Sequence, residues 1–233
     1  MSGPLAGSTA VVTGASRGIG RAIAIRLAEA GAEVALWARD AGALRMVASE
    51  IAQNRGRARG IVVDVTDSGA VQRASELVRA TMPPVRTIVN NAGVVLRKST
   101  EAISDAEWRY VMAVNLDGTF HVTRAFIPDL EHNAGRVINI ASIAGREGTA
   151  FLAAYCAAKH GVVGLTRALA EELRTAKVCV NAICPGSVDT AMLRAGMPGA
   201  SADMSPDDIA RTALFLAHAA PPALTGACID VYG

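Results

Sequence analysis

Short apolar runs rich in β-branched residues recur along the chain, and each is followed by a longer stretch in which apolar residues return every three or four positions. The short runs predict strands at Ala10–Thr13, Glu33–Trp37, Gly60–Val65, Thr87–Asn90, Arg136–Ile140, Val178–Ile183 and Cys228–Val231. The longer stretches predict helices. Ile19, Ile23 and Leu27 share one helical face, and Val111, Val114, Phe120 and Val122 recur within a long segment that begins near Ser104. Several strand runs are continuously apolar rather than alternating, as a parallel sheet covered on both faces requires. Strand–helix alternation with right-handed crossovers then predicts an α/β fold, an open doubly wound sheet of seven strands. No repeat and no linker interrupts the pattern, so residues 1–233 read as a single domain.

Two places break the rhythm. Met82-Pro83-Pro84 ends a helix ahead of the strand at Thr87. Between Thr190 and Met204, Gly196, Pro198 and Gly199 predict a loop or lid rather than regular structure. Ser205-Pro206-Asp207-Asp208 then supplies an N-cap, a first-turn proline and two acids, predicting a helix to about His218.

Composition narrows the function classes. The 233 residues are 51% hydrophobic and 19% charged, enough to build a buried core without a disulfide or structural metal. With 23 basic and 21 acidic side chains interspersed, the net charge is +2 and no electrostatic stripe suggests nucleic acid or an anionic membrane. Cys156, Cys179, Cys184 and Cys228 lack C-x-x-C spacing and sit in apolar stretches, as small buried hydrophobes do. His121, His132, His160 and His218 form no ligand-like cluster, and no metal is expected. The Met-Ser-Gly-Pro-Leu start lacks a leader pattern, and no apolar run approaches the roughly 18 residues of a membrane span, so the expectation is a cytoplasmic protein without membrane partners.

The first strand runs into Gly14-Ala15-Ser16-Arg17-Gly18-Ile19-Gly20 and then a helical pattern. Glycines there permit a sharp turn, bring backbone N–H groups close to a pyrophosphate and let the helix pack tightly on the sheet. The end of the second strand reads Leu36-Trp37-Ala38-Arg39-Asp40. In one register Ala38 replaces the acid that binds ribose hydroxyls, and Arg39 with Arg17 suits a 2′-phosphate, favouring NADP(H). In the other, Asp40 takes the 2′-hydroxyl of NAD(H) and both arginines are solvated.

Tyr155 and Lys159 stand four residues apart in a helical, apolar segment and so share a face. A phenol near pKa 10 exchanges protons poorly at neutrality, and a neighbouring ammonium lowers that value. Ser142 follows the strand ending at Ile140, at the carboxyl edge where doubly wound sheets bind ligands.

Taken with Gly14-x-x-x-Gly18-x-Gly20, Asn90-Asn91-Ala92-Gly93, Asn115 and Pro185-Gly186, the chain resembles the short-chain dehydrogenase/reductase family over essentially its whole length. Within that family the general resemblance is to 3-oxoacyl carrier-protein reductases and their relatives. The resemblance implies a single-domain Rossmann-type sheet and a tetrad of Asn115, Ser142, Tyr155 and Lys159. In that tetrad Ser142 would hold the substrate oxygen and Tyr155 would move its proton. Lys159 would bind the nicotinamide ribose and depress the Tyr155 pKa, and Asn115 would fix a relay water. Gly14, Ser16, Arg17, Gly18, Ile19, Gly20 and Arg39 would meet the phosphates. Asp64 and Val65 resemble the adenine position, though a strand-end cap with Thr66 explains Asp64 equally. Asn91, Ala92 and Gly93 fit either a turn beside the cofactor or a stabilised strand end, and Pro185, Gly186, Val188 and Thr190 resemble the segment lining the nicotinamide. A homo-oligomer, dimer or tetramer, is common in the resembling family.

Two departures stand out. About 14 residues separate Thr190 from the next helix, a shortened lid (about 190–204) that predicts an open cleft able to take a bulky or carrier-linked carbonyl compound. Val231-Tyr232-Gly233 stands where a Gly-Gly pair is usual, so a contact that longer tails make across subunits is expected to be absent. The expected cleft walls, Val94, Leu96, Ala144, Glu147, Phe151, Leu152, Met192 and Leu193, are mostly apolar and favour an acyl or cyclic ketone over a free sugar. The leading expectation is an NADP(H)-dependent 3-oxoacyl-type ketoreductase. The alternatives are an NAD-dependent alcohol, polyol or sugar dehydrogenase, and, more remotely, a non-catalytic dinucleotide-sensing regulator.

Overall fold

A computed structural model describes residues 3–233; Met1 and Ser2, which open the stretch tested for a leader, lie outside the described residues. Along the chain come β1 (Thr9–Thr13), α1 (Gly18–Glu29), β2 (Glu33–Ala38), α2 (Ala41–Gln53), β3 (Arg57–Val62), α3 (Ser68–Thr81) and β4 (Val85–Asn90). There follow α4 (Asp105–Met112), α5 (Gly118–Asn133), β5 (Arg136–Ile140), α6 (Ala153–Glu172), β6 (Cys179–Pro185), α7 (Ala191–Gly196), α8 (Pro206–Leu214) and β7 (Cys228–Val231). The seven strands are all parallel, in the order β3-β2-β1-β4-β5-β6-β7. Because β1 and β4 are neighbours while β2 and β3 lie outside them, the chain reverses direction across the sheet there. That switch point opens a crevice at the carboxyl ends of the strands.

Continuous apolarity follows from burial on both faces. Every residue of β1 and β6 is buried, and successive residues belong to opposite cores. Val12 and Leu36 pack with Ile23, Leu27 and Ile209 on one side, while Val11 and Trp37 pack with Phe126 and Leu130 on the other. Sequence and structure part at β3, predicted at Gly60–Val65 but found at Arg57–Val62. As an edge strand it pairs only with β2, from Glu33↔Arg57 to Ala38↔Val62, and its polar first half lies largely exposed. An apolar-run criterion misses such a half.

The long segment from Ser104 is two helices joined by a π turn, Ala113–Asp117. Ser104 opens it with a capping box, its hydroxyl accepting from Glu107 N while the Glu107 carboxylate accepts from Ser104 N. The span expected to be irregular after Thr190 is instead partly helical. Thr190 Oγ1 accepts from Leu193 N at 3.2 Å and starts α7, and only the residues after Gly196 are loop. α8 is capped by Ser205 as predicted and runs on into a π turn through Ala219.

Candidate active site

At the end of β1, Gly14 and Gly18 take φ of 63° and 54°, the left-handed region that glycine alone enters freely. Asn91 stitches this turn to the end of β4. Its Nδ2 donates to the carbonyls of Thr13 (3.0 Å) and Gly14 (3.2 Å), while Asn91 N and Ala92 N both donate to Thr13 Oγ1. A Cβ on Gly20 would overlap that amide nitrogen and the Gly14 carbonyl oxygen. Gly20→Ala is therefore expected to lower stability by about 2 kcal/mol and to abolish tight dinucleotide binding, read by denaturant unfolding and calorimetry.

Arg17 occupies the N-cap of α1 in an extended conformation, and no side chain caps the helix. The free N–H groups of its first turn open into a cleft of about 1180 Å³. An uncapped helix start, a turn that carries glycine at positions 14, 18 and 20, and arginines on the cleft wall, Arg17 and Arg39 among them, fit a dinucleotide pyrophosphate and a 2′-phosphate. Arg39 Nη1 donates to Tyr110 Oη at 3.2 Å and lies 4.0 Å from Asp64 Oδ2. Asp40, the competing ribose ligand, lines the cleft and caps α2, its Oδ1 accepting from Gly42 N (2.9 Å) and Ala43 N (3.0 Å). Asp64 lines the cleft and also caps its own strand end, accepting from Thr66 N and Oγ1. Val65 is buried against Gly118 at the start of α5.

The other end of the cleft holds the expected tetrad. Ser142 follows β5, and its Oγ accepts from Ala144 N at 3.1 Å, closing a short 3-10 turn. That turn reaches α6 because Gly145 has no side chain: a Cβ there would sit 2.7 Å from the Lys159 carbonyl oxygen. Lys159 is buried and donates from Nζ to Ile140 O at 2.7 Å, with Nζ 5.7 Å from the Tyr155 ring centroid. Asn115, fully buried in the π turn, spends its amide on backbone, donating to Val94 O and Val111 O at 2.9 Å and accepting from Val94 N. Gly93 is where these parts meet, since a Cβ on it would lie 2.8 Å from Asn115 Oδ1 and 3.8 Å from Lys159 Nζ.

Burial dominates the electrostatics. It pushes the Tyr155 hydroxyl up to about 12, against a smaller lowering by the nearby Ser142 hydroxyl. It pulls the Lys159 ammonium down to about 8. The Lys159 ammonium itself is turned to the Ile140 carbonyl. Tyr155 is held as a neutral acid.

Pro185 and Gly186 end β6 beside Val188 and Thr190 on the cleft wall, and Gly186 packs beside Tyr232. Of the expected substrate walls, Val94, Ala144, Leu152, Met192 and Leu193 line the cleft, whereas Leu96, Glu147 and Phe151 do not. The short lid borders the reacting end and leaves Ser142, Tyr155 and Met192 on the wall of the same cleft of about 1180 Å³. Gly196 sits against Val95 with no room for a Cβ, Arg97 Nη1 donates to Gly196 O at 3.4 Å, and Met192 Sδ rests 3.9 Å from Tyr155 Oη. The sequence pattern gives Tyr110 no role and Trp37 only a place in β2. Trp37 is a buried strand residue that also lines the cleft, and Tyr110 reaches its partner only through the fold. Among the described residues no cluster of metal ligands occurs, and no helix is long and apolar enough to cross a membrane.

This chain belongs to the short-chain dehydrogenase family, whose profile ("short chain dehydrogenase") matches residues 8–199. It is an NAD(P)-dependent oxidoreductase working between C=O and CH–OH. Among curated proteins it is 35% identical to the 3-oxoacyl-[acyl-carrier-protein] reductase FabG of Chlamydia trachomatis serovar D, covering 100% of this chain and 99% of the other. Among solved structures, a protein assigned as an NAD(P)-dependent gluconate 5-dehydrogenase from Beutenbergia cavernae, with NADP bound at low occupancy, is 40% identical with a TM-score of 0.90, covering 97% and 95% of the two chains. Actinorhodin polyketide ketoreductase with NADPH is 32% identical with a TM-score of 0.92, covering 100% and 98%.

Proposed function

We propose that this enzyme reduces 3-oxoacyl-type ketones, carried on a thioester or a carrier, and that Asn115, Ser142, Tyr155 and Lys159 perform the reaction. The observation that carries the reading is the neutral, buried Tyr155 hydroxyl at the apolar end of a cleft whose other end is built for phosphates. When bound, the cofactor supplies the hydride. Ser142 Oγ holds the substrate carbonyl oxygen, and Tyr155 Oη gives its proton to that oxygen as charge develops. Lys159 Nζ, now turned to Ile140 O, holds the ribose and returns a proton toward Tyr155 Oη. Asn115 keeps the turn at Val94 in place beside them, and its position in the π turn suits a relay water. Met192, 3.9 Å from Tyr155 Oη, gives the substrate side of the hydroxyl an apolar neighbour.

Apolar walls from Val94, Leu152, Met192 and Leu193 support an acyl chain over a polyol. The test is NADPH consumption with 3-oxoacyl thioesters, set beside NADP⁺ or NAD⁺ reduction with gluconate and simple polyols. Turnover confined to the polyols would overturn the reading in favour of a sugar dehydrogenase. For the cofactor, Arg39→Ala is expected to weaken NADPH by about 1.5–3 kcal/mol in calorimetry and to leave NADH nearly unchanged. We further take the chain as one catalytic unit with a lid at about 190–204, cytoplasmic and homo-oligomeric. Sedimentation distinguishes a dimer from a tetramer.

A further inference from the structure

We propose that Tyr110, through its hydrogen bond to Arg39, is a positioning residue for cofactor specificity. It holds the Arg39 guanidinium where a 2′-phosphorylated dinucleotide needs it. The inference rests on the reading of Arg39 as the phosphate ligand, and it adds a side chain from α4, a helix that reading leaves out. Tyr110 and Arg39 are 71 residues apart in sequence, yet Nη1 donates to Oη at 3.2 Å. Among the described residues Tyr110 Oη has no other polar partner, and Arg39 has one ion-pair partner, Asp64, at 4.0 Å.

The chemistry of the two acceptors differs. A carboxylate that gripped Arg39 would cancel its charge and repel a phosphate, whereas a phenol oxygen holds the guanidinium and leaves the charge uncompensated. Asp64 Oδ1 is committed to Thr66 N and Oγ1, which keeps that carboxylate at the edge of reach. The Arg39 side chain is 61% exposed, and nothing else recorded in the structure restrains its tip. A flexible exposed guanidinium loses freedom when it clamps an anion, and a bond that orders it beforehand reduces that loss. NADH presents no 2′-phosphate, so it gains nothing from the arrangement.

The test is a double-mutant cycle by calorimetry, with NADPH and NADH binding to the wild type, Tyr110→Phe, Arg39→Ala and the double variant. Tyr110→Phe keeps the ring and removes only the hydroxyl. It is expected to weaken NADPH roughly three- to tenfold and NADH by less than about twofold. In the Arg39→Ala background the same change is expected to do nothing further to NADPH. The proposal is overturned if Tyr110→Phe weakens both cofactors alike, if it is silent, or if its effect persists without Arg39. An Arg39→Ala variant that weakens both cofactors equally removes the phosphate reading itself. A selective Arg39→Ala with a silent Tyr110→Phe removes only the role of Tyr110.

Discussion

Replacing Tyr155 by Phe is expected to lower turnover by roughly 10²- to 10⁴-fold while NADPH still binds with its wild-type affinity. The hydroxyl stands at the reacting end of the cleft, and burial keeps it protonated up to about pH 12. Among the described residues its one hydrogen-bond partner is the thioether of Met192 at 3.9 Å, a weak attachment for the fold. Phe therefore fits the same volume, and unfolding free energy should move by no more than about 1 kcal/mol. Stopped-flow NADPH oxidation with a 3-oxoacyl thioester reads the chemical step directly. A variant retaining more than about a tenth of wild-type turnover would remove Tyr155 as proton donor. A dinucleotide sensor would be indifferent to the change.

Lys159→Met is expected to cost about 10²- to 10³-fold in turnover and, at pH 7, to make the cofactor-free protein more stable. A buried ammonium whose value falls from 10.5 to about 8 carries a folding penalty of about 3 kcal/mol wherever both states are protonated, that is, below pH 8. Removing it leaves the Ile140 carbonyl without its 2.7 Å partner, a loss of about 1 kcal/mol, so the net gain at pH 7 is about 2 kcal/mol. Between pH 8 and 10.5 the unfolded chain binds the extra proton, so wild-type stability climbs with pH and the advantage of the variant shrinks, then reverses. Above pH 10 Tyr155 acts oppositely, because its raised value makes the wild type lose stability as the unfolded phenol ionises first. Urea unfolding of both proteins at pH 7 and pH 10 decides it. A variant less stable at pH 7 would mean the lysine is not a buried cation.

The features legible in the sequence are those whose parts lie close along the chain. Tyr155 and Lys159 share a helical turn and Gly14, Gly18 and Gly20 share a loop, so spacing alone brought each set together. The central strands read well because burial on both faces makes them continuously apolar. The start of β3 did not, since an edge strand tolerates Arg57 and Arg59. The form of the lid was also hidden. Glycines and a proline imply looseness, but the cap from Thr190 and the docking of Gly196 on Val95 depend on chain segments far apart. Tyr110 shows the same limit: on α4 it is one half-exposed aromatic, and only the fold sets it against Arg39. Asp40 was ambiguous because capping a helix and binding a ribose ask for the same carboxylate at the same place.

The π turn at Ala113–Asp117 joins two helices that are out of phase with each other. Such a turn accommodates about one residue more than an α-helix would over the same length. Forcing the same residues into regular α-helix, with none removed, would swing α4 by about 100° against α5. Tyr110 would leave Arg39 and Asn115 would leave the Val94 carbonyl in the same rotation. The stretch works as a fixed gear between the phosphate end and the proton-transfer end of the cleft. Its residue count is constrained as tightly as the identity of any side chain it carries, even though no part of it is a loop.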